Sequence, residues 1–339
     1  MALATNFQSK NDVQIIWGTA SALLGTAHAV EDAWLIPKTL EFSVPEASVA
    51  LEMGSPANNT GVEFEDNAIH RLDTSTWTFT QSVICTDEVL KVIGKQFTNN
   101  GTSPWALTGA LGLDGTGGYS VTHGIANTVA NTVVFKGGGP STTTQVDVVV
   151  SGCYMQSVSF KMDAGSNGGQ LVADISWWTP YVPVNGSLVP DPVAAEDADE
   201  AANVFNITAE SALLGGQIMM LLGWDFGLSR TLSKAGYQEG TSSVPWGICQ
   251  TGVTECTGNL NVKRDDNTYA LAANLLGNSA GVALSLTYSA PLFTLICGKV
   301  MINAPTIDSG SDYFTLNIPF RAVASLSDAT AAVYTMTSL

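Results

Sequence analysis

The side chains best able to do chemistry are few and scattered. There are three histidines, His28, His70 and His123, and five cysteines, Cys85, Cys153, Cys249, Cys256 and Cys297. A histidine base needs a nucleophile within reach and a third group to orient it. None of the three lies in a His-Glu-x-x-His or nucleophile-elbow pattern. Asp225-Phe226-Gly227 matches the kinase magnesium triplet, but no His-Arg-Asp motif or glycine-loop lysine accompanies it, so it reads as coincidence. The runs Gly112 to Gly118 and Gly137-Gly138-Gly139 lack the Gly-Lys-Ser/Thr ending of a phosphate loop and read as loops. The cysteines are odd in number, with no Cys-x-x-Cys pair and no metal-ligand spacing. They read as buried thiols of a reducing compartment, with Cys249 and Cys256 close enough to raise the question of pairing. Paired carboxylates can hydrolyse glycosides, but acids are plentiful here and pairs arise by chance. Trp177-Trp178 could make a sugar platform. Adjacent strand residues face opposite ways, so the pair reads better as one core and one interface residue. The expectation is no enzyme, no cofactor and no metal.

Bulk properties point to structure and self-association. Of 339 residues 45% are hydrophobic and 13% charged, with 13 Lys+Arg against 30 Asp+Glu and a net charge of −17. A chain that grips nucleic acid neutralises phosphates with Lys and Arg; this one repels them. Low charge density with ample apolar content suits a protein that buries surface against its own copies. Met1 to Lys10 lacks the basic start and apolar core of a signal peptide. The longest apolar candidate, Val282 to Cys297, is broken by Ser285, Thr287, Ser289 and Pro291. The expected site of synthesis is a cytoplasm, with no membrane partner.

The elements behind these residues are mostly strands. The chain divides into a lobe over 1–189, a linker over 190–202 and a lobe over 203–339. The division rests on Pro183, Pro190 and Pro192 followed by the acidic run 196–200. In the first lobe strand-like text covers 13–19, 39–44 and 77–84, with Trp77, Phe79, Gln81 and Val83 on one face. Residues 86–93 read as a short helix with Thr86 as N-cap. Residues 99–118 read as a Gly-rich loop, and 145–150 leads into a hairpin, 154–162 with 170–178. Residues 45–73 form either a protruding hairpin or an interaction loop. In the second lobe, 260–262 reads as a short strand, Asp265 or Asp266 caps a helix over 268–276, 282–288 is a strand, and 299–307 with 313–323 closes as a hairpin. At an offset of 145, Asp163-x-Gly165-Ser166 falls on Asp308-x-Gly310-Ser311. Leu171, Ala173 and Ile175 then fall in phase with Leu316, Ile318 and Phe320, as a duplicated fold requires.

The segment Val148-Val149-Val150-Ser151-Gly152-Cys153-Tyr154-Met155, followed by Ser157-Val158-Ser159-Phe160, resembles the tail tube proteins of long-tailed bacteriophages. So do Asn203 to Ser211 and the closing Ile318-Pro319-Phe320-Arg321-Ala322. The likeness is one of patterning and turn chemistry, best over 145–180 and 258–325. It implies two tail-tube-like β-sandwich or barrel lobes, each with a short flanking helix, joining neighbours in a closed ring. Two lobes per chain give a trimeric ring with pseudo-sixfold symmetry; one elaborated lobe gives a hexamer. Rings stack in the virion tail after assembly in the host cytoplasm. The implied partners are further copies of the chain and the tape-measure, tail-tip and tail-terminator proteins. Double-stranded DNA passes through unbound. Four strands from each of six lobes, spaced ~4.8 Å and tilted up to ~45°, give a backbone diameter of roughly 35–50 Å, wide enough for a duplex. Asp147, Asp163, Asp174, Asp308 and Asp312 are candidate acids of a negative lumen. Glu46, Glu52, Glu63, Glu65 and Asp66 mark the candidate inter-ring loop. The alternatives are a capsid decoration or baseplate protein, or a carbohydrate-binding or hydrolytic β-sandwich.

Overall fold

A computed structural model describes residues 13–19, 33–35, 39–45, 49–53, 68–72, 76–98, 104–108, 112–113, 119–120, 130–137, 148–163, 165, 169–181, 183–185, 210–237, 245–265, 268–270, 281–289, 292–310, 314–324 and 332–338. In chain order these hold β1 (Val13–Thr19), β2 (Ala33–Leu35), β3 (Thr39–Phe42), β4 (Val49–Met53), β5 (Ala68–Leu72), β6 (Trp77–Ile84) and the helix α1 (Asp87–Phe97). There follow β7 (Trp105–Thr108), β8 (Gly112–Leu113), β9 (Tyr119–Ser120), β10 (Asn131–Gly137), β11 (Val148–Asp163), β12 (Val172–Thr179) and β13 (Val184–Asn185). Past the expected linker, whose residues 190–202 lie outside the described ones, come β14 (Glu210–Leu214), β15 (Gln217–Ile218), β16 (Leu221–Ser229), β17 (Leu232–Tyr237), β18 (Pro245–Gln250) and β19 (Glu255–Lys263). A helical turn at 268–270 precedes β20 (Val282–Ser289), β21 (Leu292–Ile302), β22 (Thr306–Asp308), β23 (Thr315–Ala322) and β24 (Ala332–Ser338).

The fold is mostly β and antiparallel. Its main feature is a row of eight strands in the order β3, β6, β12, β11, β16, β19, β23, β22. Among the described residues the row does not close on itself within one chain. At its middle β11 pairs with β16 over Ser157–Asp163 and Gly223–Ser229, so hydrogen bonding crosses between the two expected lobes. A second layer lies behind the row. In the first half it runs β2, β1, β10 and the start of β11. In the second half it runs β14, β20, β21, β24 and then β7. The β1–β10–β11 pairing order thus recurs as β14–β20–β21. The two-stranded hairpins β4–β5 and β17–β18 hold matching places, between β3 and β6 and between β16 and β19.

Strand alternation explains the core. β6 alternates buried and exposed, with Trp77, Phe79, Gln81 and Val83 inside as expected. Gln81 is tolerated there because its Oε1 accepts from Trp17 Nε1 at 2.9 Å, joining the layers. Trp17 meets Trp177 edge-on at 5.3 Å, and Phe79 meets Phe135 at 5.6 Å. In the second half Trp224 stacks on Phe293 at 6.3 Å, and Phe226 meets Tyr334 edge-on at 5.6 Å. The helix begins as expected, with Thr86 Oγ1 accepting from Val89 N–H, but runs on to Phe97 because Val89, Leu90, Val92, Ile93 and Phe97 keep a buried stripe. Asp265 caps the turn at Thr268; the rest of that expected helix lies outside the described residues.

Several expectations need correction. Within 99–118 the chain forms β7, not only loop: Trp105 and Leu107 are buried, and Trp105 packs so closely on Gly94 that a Cβ there would lie 2.4 Å from the indole. Flanking Pro and Gly hid the alternation. The 260–262 strand is the end of the longer β19. Residues 148–163 form one strand, not a lead-in followed by a hairpin arm. Gly152, at φ +60° and stacked under Tyr181, lets β11 leave β10 and join β12 without a break. Just before the expected linker, β13 pairs with β11.

Candidate assembly interface

The eight-strand row presents a face away from the core, and cross-strand partners place its side chains in lines. One line runs Glu41, Ser82, Asp174, Ser159, Gly227, Thr257 and Arg321. Most of the face is Ser, Thr, Asn and Gly. Its charges among the described residues are the acids Glu41, Asp163, Asp174, Asp225, Glu255 and Asp308 and the bases Lys161, Lys263 and Arg321, a formal balance of −3. Lys161 Nζ lies 2.5 Å from Asp174 Oδ2, and Arg321 Nη2 lies 3.3 Å from Glu255 Oε1. Ser82 Oγ also donates to Asp174 Oδ1 at 2.6 Å. Asp225 sits between Gly223 and Gly227; burial raises its carboxyl above the usual carboxylate range, against the pull of Lys161 and a hydrogen bond from Asn259.

Of the five expected lumen acids, Asp163, Asp174 and Asp308 fall on this face. Asp163 and Asp308 also make matching turns, each accepting through Oδ1 from the N–H two residues on, at Gly165 (2.8 Å) and Gly310 (2.9 Å). Asp147 and Asp312 lie outside the described residues. Sequence reasoning missed Glu41, Asp225 and Glu255, although alternation through Trp224-Asp225-Phe226 would have placed Asp225 opposite two core aromatics. The kinase-like triplet is simply the middle of β16. Of the loop acids, Glu52 lies in β4, while Glu46, Glu63, Glu65 and Asp66 lie outside the described residues. The β4–β5 pairing shows a hairpin within 45–73.

The chain matches no known protein-family model, and no curated protein is significantly similar to it.

The ends of the row are chemically distinct from its middle. Terminal strand β3 leads into exposed Val44 and carries exposed Leu40; terminal strand β22 carries exposed Ile307. By contrast, where β11 meets β16 the core-facing Val158, Phe160, Met162, Trp224, Phe226 and Leu228 are all buried. Along one rim an open, polar depression of about 680 Å³ is lined by Ser157, Ser176, Ser229, Arg230 and Glu255. Trp177 is in the core, and Trp178 is buried beside Tyr154 and Leu232, so neither offers a sugar platform. Cys85, Cys153, Cys256 and Cys297 are free and buried, which answers the pairing question for Cys256. Burial pushes the Cys256 thiol up to about 12. Among the described residues no three of His, Cys, Asp and Glu gather as a metal-binding group, and no helix is long and apolar enough to cross a membrane.

Proposed function

We propose that this chain is the ring subunit of a phage tail tube. On this reading the chain carries two tail-tube-like lobes, β1 to β13 and β14 to β24, and the polar face of the row lines the channel. The observation that carries the reading is the row itself: eight strands, sealed on one face by the core, polar and net acidic on the other, with apolar side chains exposed at both ends. Sheet edges left open invite pairing with another chain. Joining β22 of one copy to β3 of the next, three times over, closes the row into a barrel of about 24 strands, whose diameter of roughly 35–50 Å passes a duplex.

The lining suits passage without adhesion. Phosphate affinity comes from releasing counterions to Lys and Arg. Here Lys161 and Arg321 are already held by carboxylates. Stacking needs exposed aromatics, and this face is mostly small polar residues. The β4–β5 and β17–β18 hairpins, like the short β8–β9 pair, bond only within themselves among the described residues, and by their matching places in the two lobes the first two serve contacts between stacked rings.

Negative-stain electron microscopy of the purified protein tests the proposal. Hollow tubes with stacked rings and a channel wider than a DNA duplex are expected. A protein that stays monomeric at every concentration overturns it.

A further inference from the structure

The two halves share one hydrogen-bond frame where a strand of the row runs into a helix. In the first, Cys85 N–H donates to Leu171 O at 2.8 Å, Thr86 caps Val89, and Leu90 N–H donates to Thr86 O at 3.0 Å. In the second, Arg264 N–H donates to Phe314 O at 3.0 Å, Asp265 caps Thr268, and Tyr269 N–H donates to Asp265 O at 3.0 Å. Arg264, Tyr269 and Phe314 therefore stand where Cys85, Leu90 and Leu171 stand. Measured from the Asx turns the halves differ by 145 residues, and from this frame Leu171 matches Phe314, two residues along and on the same face.

Burial separates the two corners. Cys85, Leu90 and Leu171 are each 0% exposed, whereas Tyr269 is 47% and Phe314 54% exposed, and Arg264 is exposed too. The Arg264 guanidinium lies over both rings, 5.0 Å from Tyr269 and 5.7 Å from Phe314. Clustered Tyr, Phe and Arg is the composition of an interface hot spot.

The intact half indicates the occupant. There the hairpin strand β11 is joined by β16, whose counterpart at the far end of the row is β3. Both lie beside the strand that runs into a helix, and both carry a register shift at the same point, between Thr39 and Glu41 against β6 and between Leu221 and Gly223 against β19. β3 brings exposed Leu40 and, just past its end, Val44. Both are apolar and lie at the open end of the row. We infer that the Arg264–Tyr269–Phe314 corner is the socket for β3 of a second copy, so that the joint between copies repeats the β11–β16 joint inside each. This rests on the tube reading and deepens it, because three such chains, each with one joint built in, supply the six lobes of one ring.

The variants Tyr269→Asp and Phe314→Asp alter exposed side chains, so circular dichroism melts should match wild type. Each should raise the concentration needed for assembly by roughly thirty-fold or more. Assembly at the wild-type concentration overturns the socket. Independently, Val44→Cys with Ile307→Cys, treated with a short bis-maleimide, should give a covalent ladder ending at three copies, and each single variant none; a ladder reaching six, or no ladder from intact assemblies, also overturns it. Tubes that form regardless of both aspartates leave the tube reading standing without the socket. Discrete wild-type trimers that the aspartates dissociate, without tubes, keep the socket and remove the tube.

Discussion

Arg230 holds Gln96 twice across 134 residues of chain, donating from Nη1 to its backbone carbonyl at 2.6 Å and from Nη2 to its Oε1 at 2.8 Å. Its Nε donates to Met155 O at 2.9 Å, and the guanidinium lies 4.6 Å from the Phe97 ring centroid. The arginine thus satisfies a carbonyl of the last turn of α1, where the helix leaves acceptors and a partial negative charge. It ties β16 to the helix and to the irregular point of β11. Burial lowers its pKa to about 10, so it stays charged at neutral pH. Arg230→Met should cost about 3–5 kcal/mol, because three buried oxygens lose a charged donor. Arg230→Lys should recover only part of that, since one ammonium lacks the fork. Urea unfolding at constant slope checks both; a Met variant within about 1 kcal/mol of wild type would refute the clamp.

Asp225 gives a pH signature of known sign. Its carboxyl is raised, chiefly by burial, so ionisation opposes folding. The stability associated with its neutral form is fully present below the unfolded pKa and is lost as pH rises through the folded one. Asp225→Asn should therefore raise the melting temperature at pH 7 and lose that advantage as pH falls below the carboxylate range. Melting curves from pH 3 to 8 test this; a gain that is constant with pH would mean that burial of the charge is not the cause.

Legibility followed local chemistry. β1 and β6 were readable to the residue because their alternation is uninterrupted, and Thr86 followed by two acids marked the start of α1. The two Asx turns were readable because Asp-x-Gly fixes its own geometry. The strands from β14 to β18 were not, since Gly215, Gly216, Gly223 and Gly227 interrupt the period and packing across halves decides their state. The acids of the polar face could be found only in part. Which carboxylates share a face depends on the order of strands in the row, and that order is set by long-range pairing such as β11 with β16. Arg230 carried no sequence signal, because its partners are carbonyls of a distant helix and strand.

The charge of the polar face should control DNA passage. Asn keeps the Oδ1 acceptor that Asp163 and Asp308 use in their turns, so Asp163→Asn with Asp308→Asn removes charge and leaves geometry intact. Adding Thr78→Lys and Asn261→Lys, both at exposed positions of this face, moves its formal balance from −3 to +1. Wild-type assemblies should release duplex DNA at low salt. The fourfold variant should retain it, with an affinity that falls steeply as salt rises. Equal retention by both would place this face away from the DNA path.

The β4–β5 hairpin should govern stacking and not folding. The ends of its insertion are already side by side: Ser43 N–H donates to Thr80 O at 2.9 Å, so β3 and β6 form a hairpin into which 45–73 is inserted. Replacing residues 46–75 with Asn-Gly leaves a short connection between paired strands, a turn that suits their twist. Loops of this kind tolerate shortening because closure entropy changes slowly with length. The variant should therefore melt within a few degrees of wild type, as roughly 1 kcal/mol shifts a domain of this size by about 2–4 °C. It should form rings that do not stack, because the hairpin pairs with no other described strand and is placed to reach an adjacent ring. Electron microscopy and sedimentation separate the outcomes. Tubes of normal length from the variant would assign stacking to other elements, of which β17–β18, in the matching place of the second half, is the next to remove.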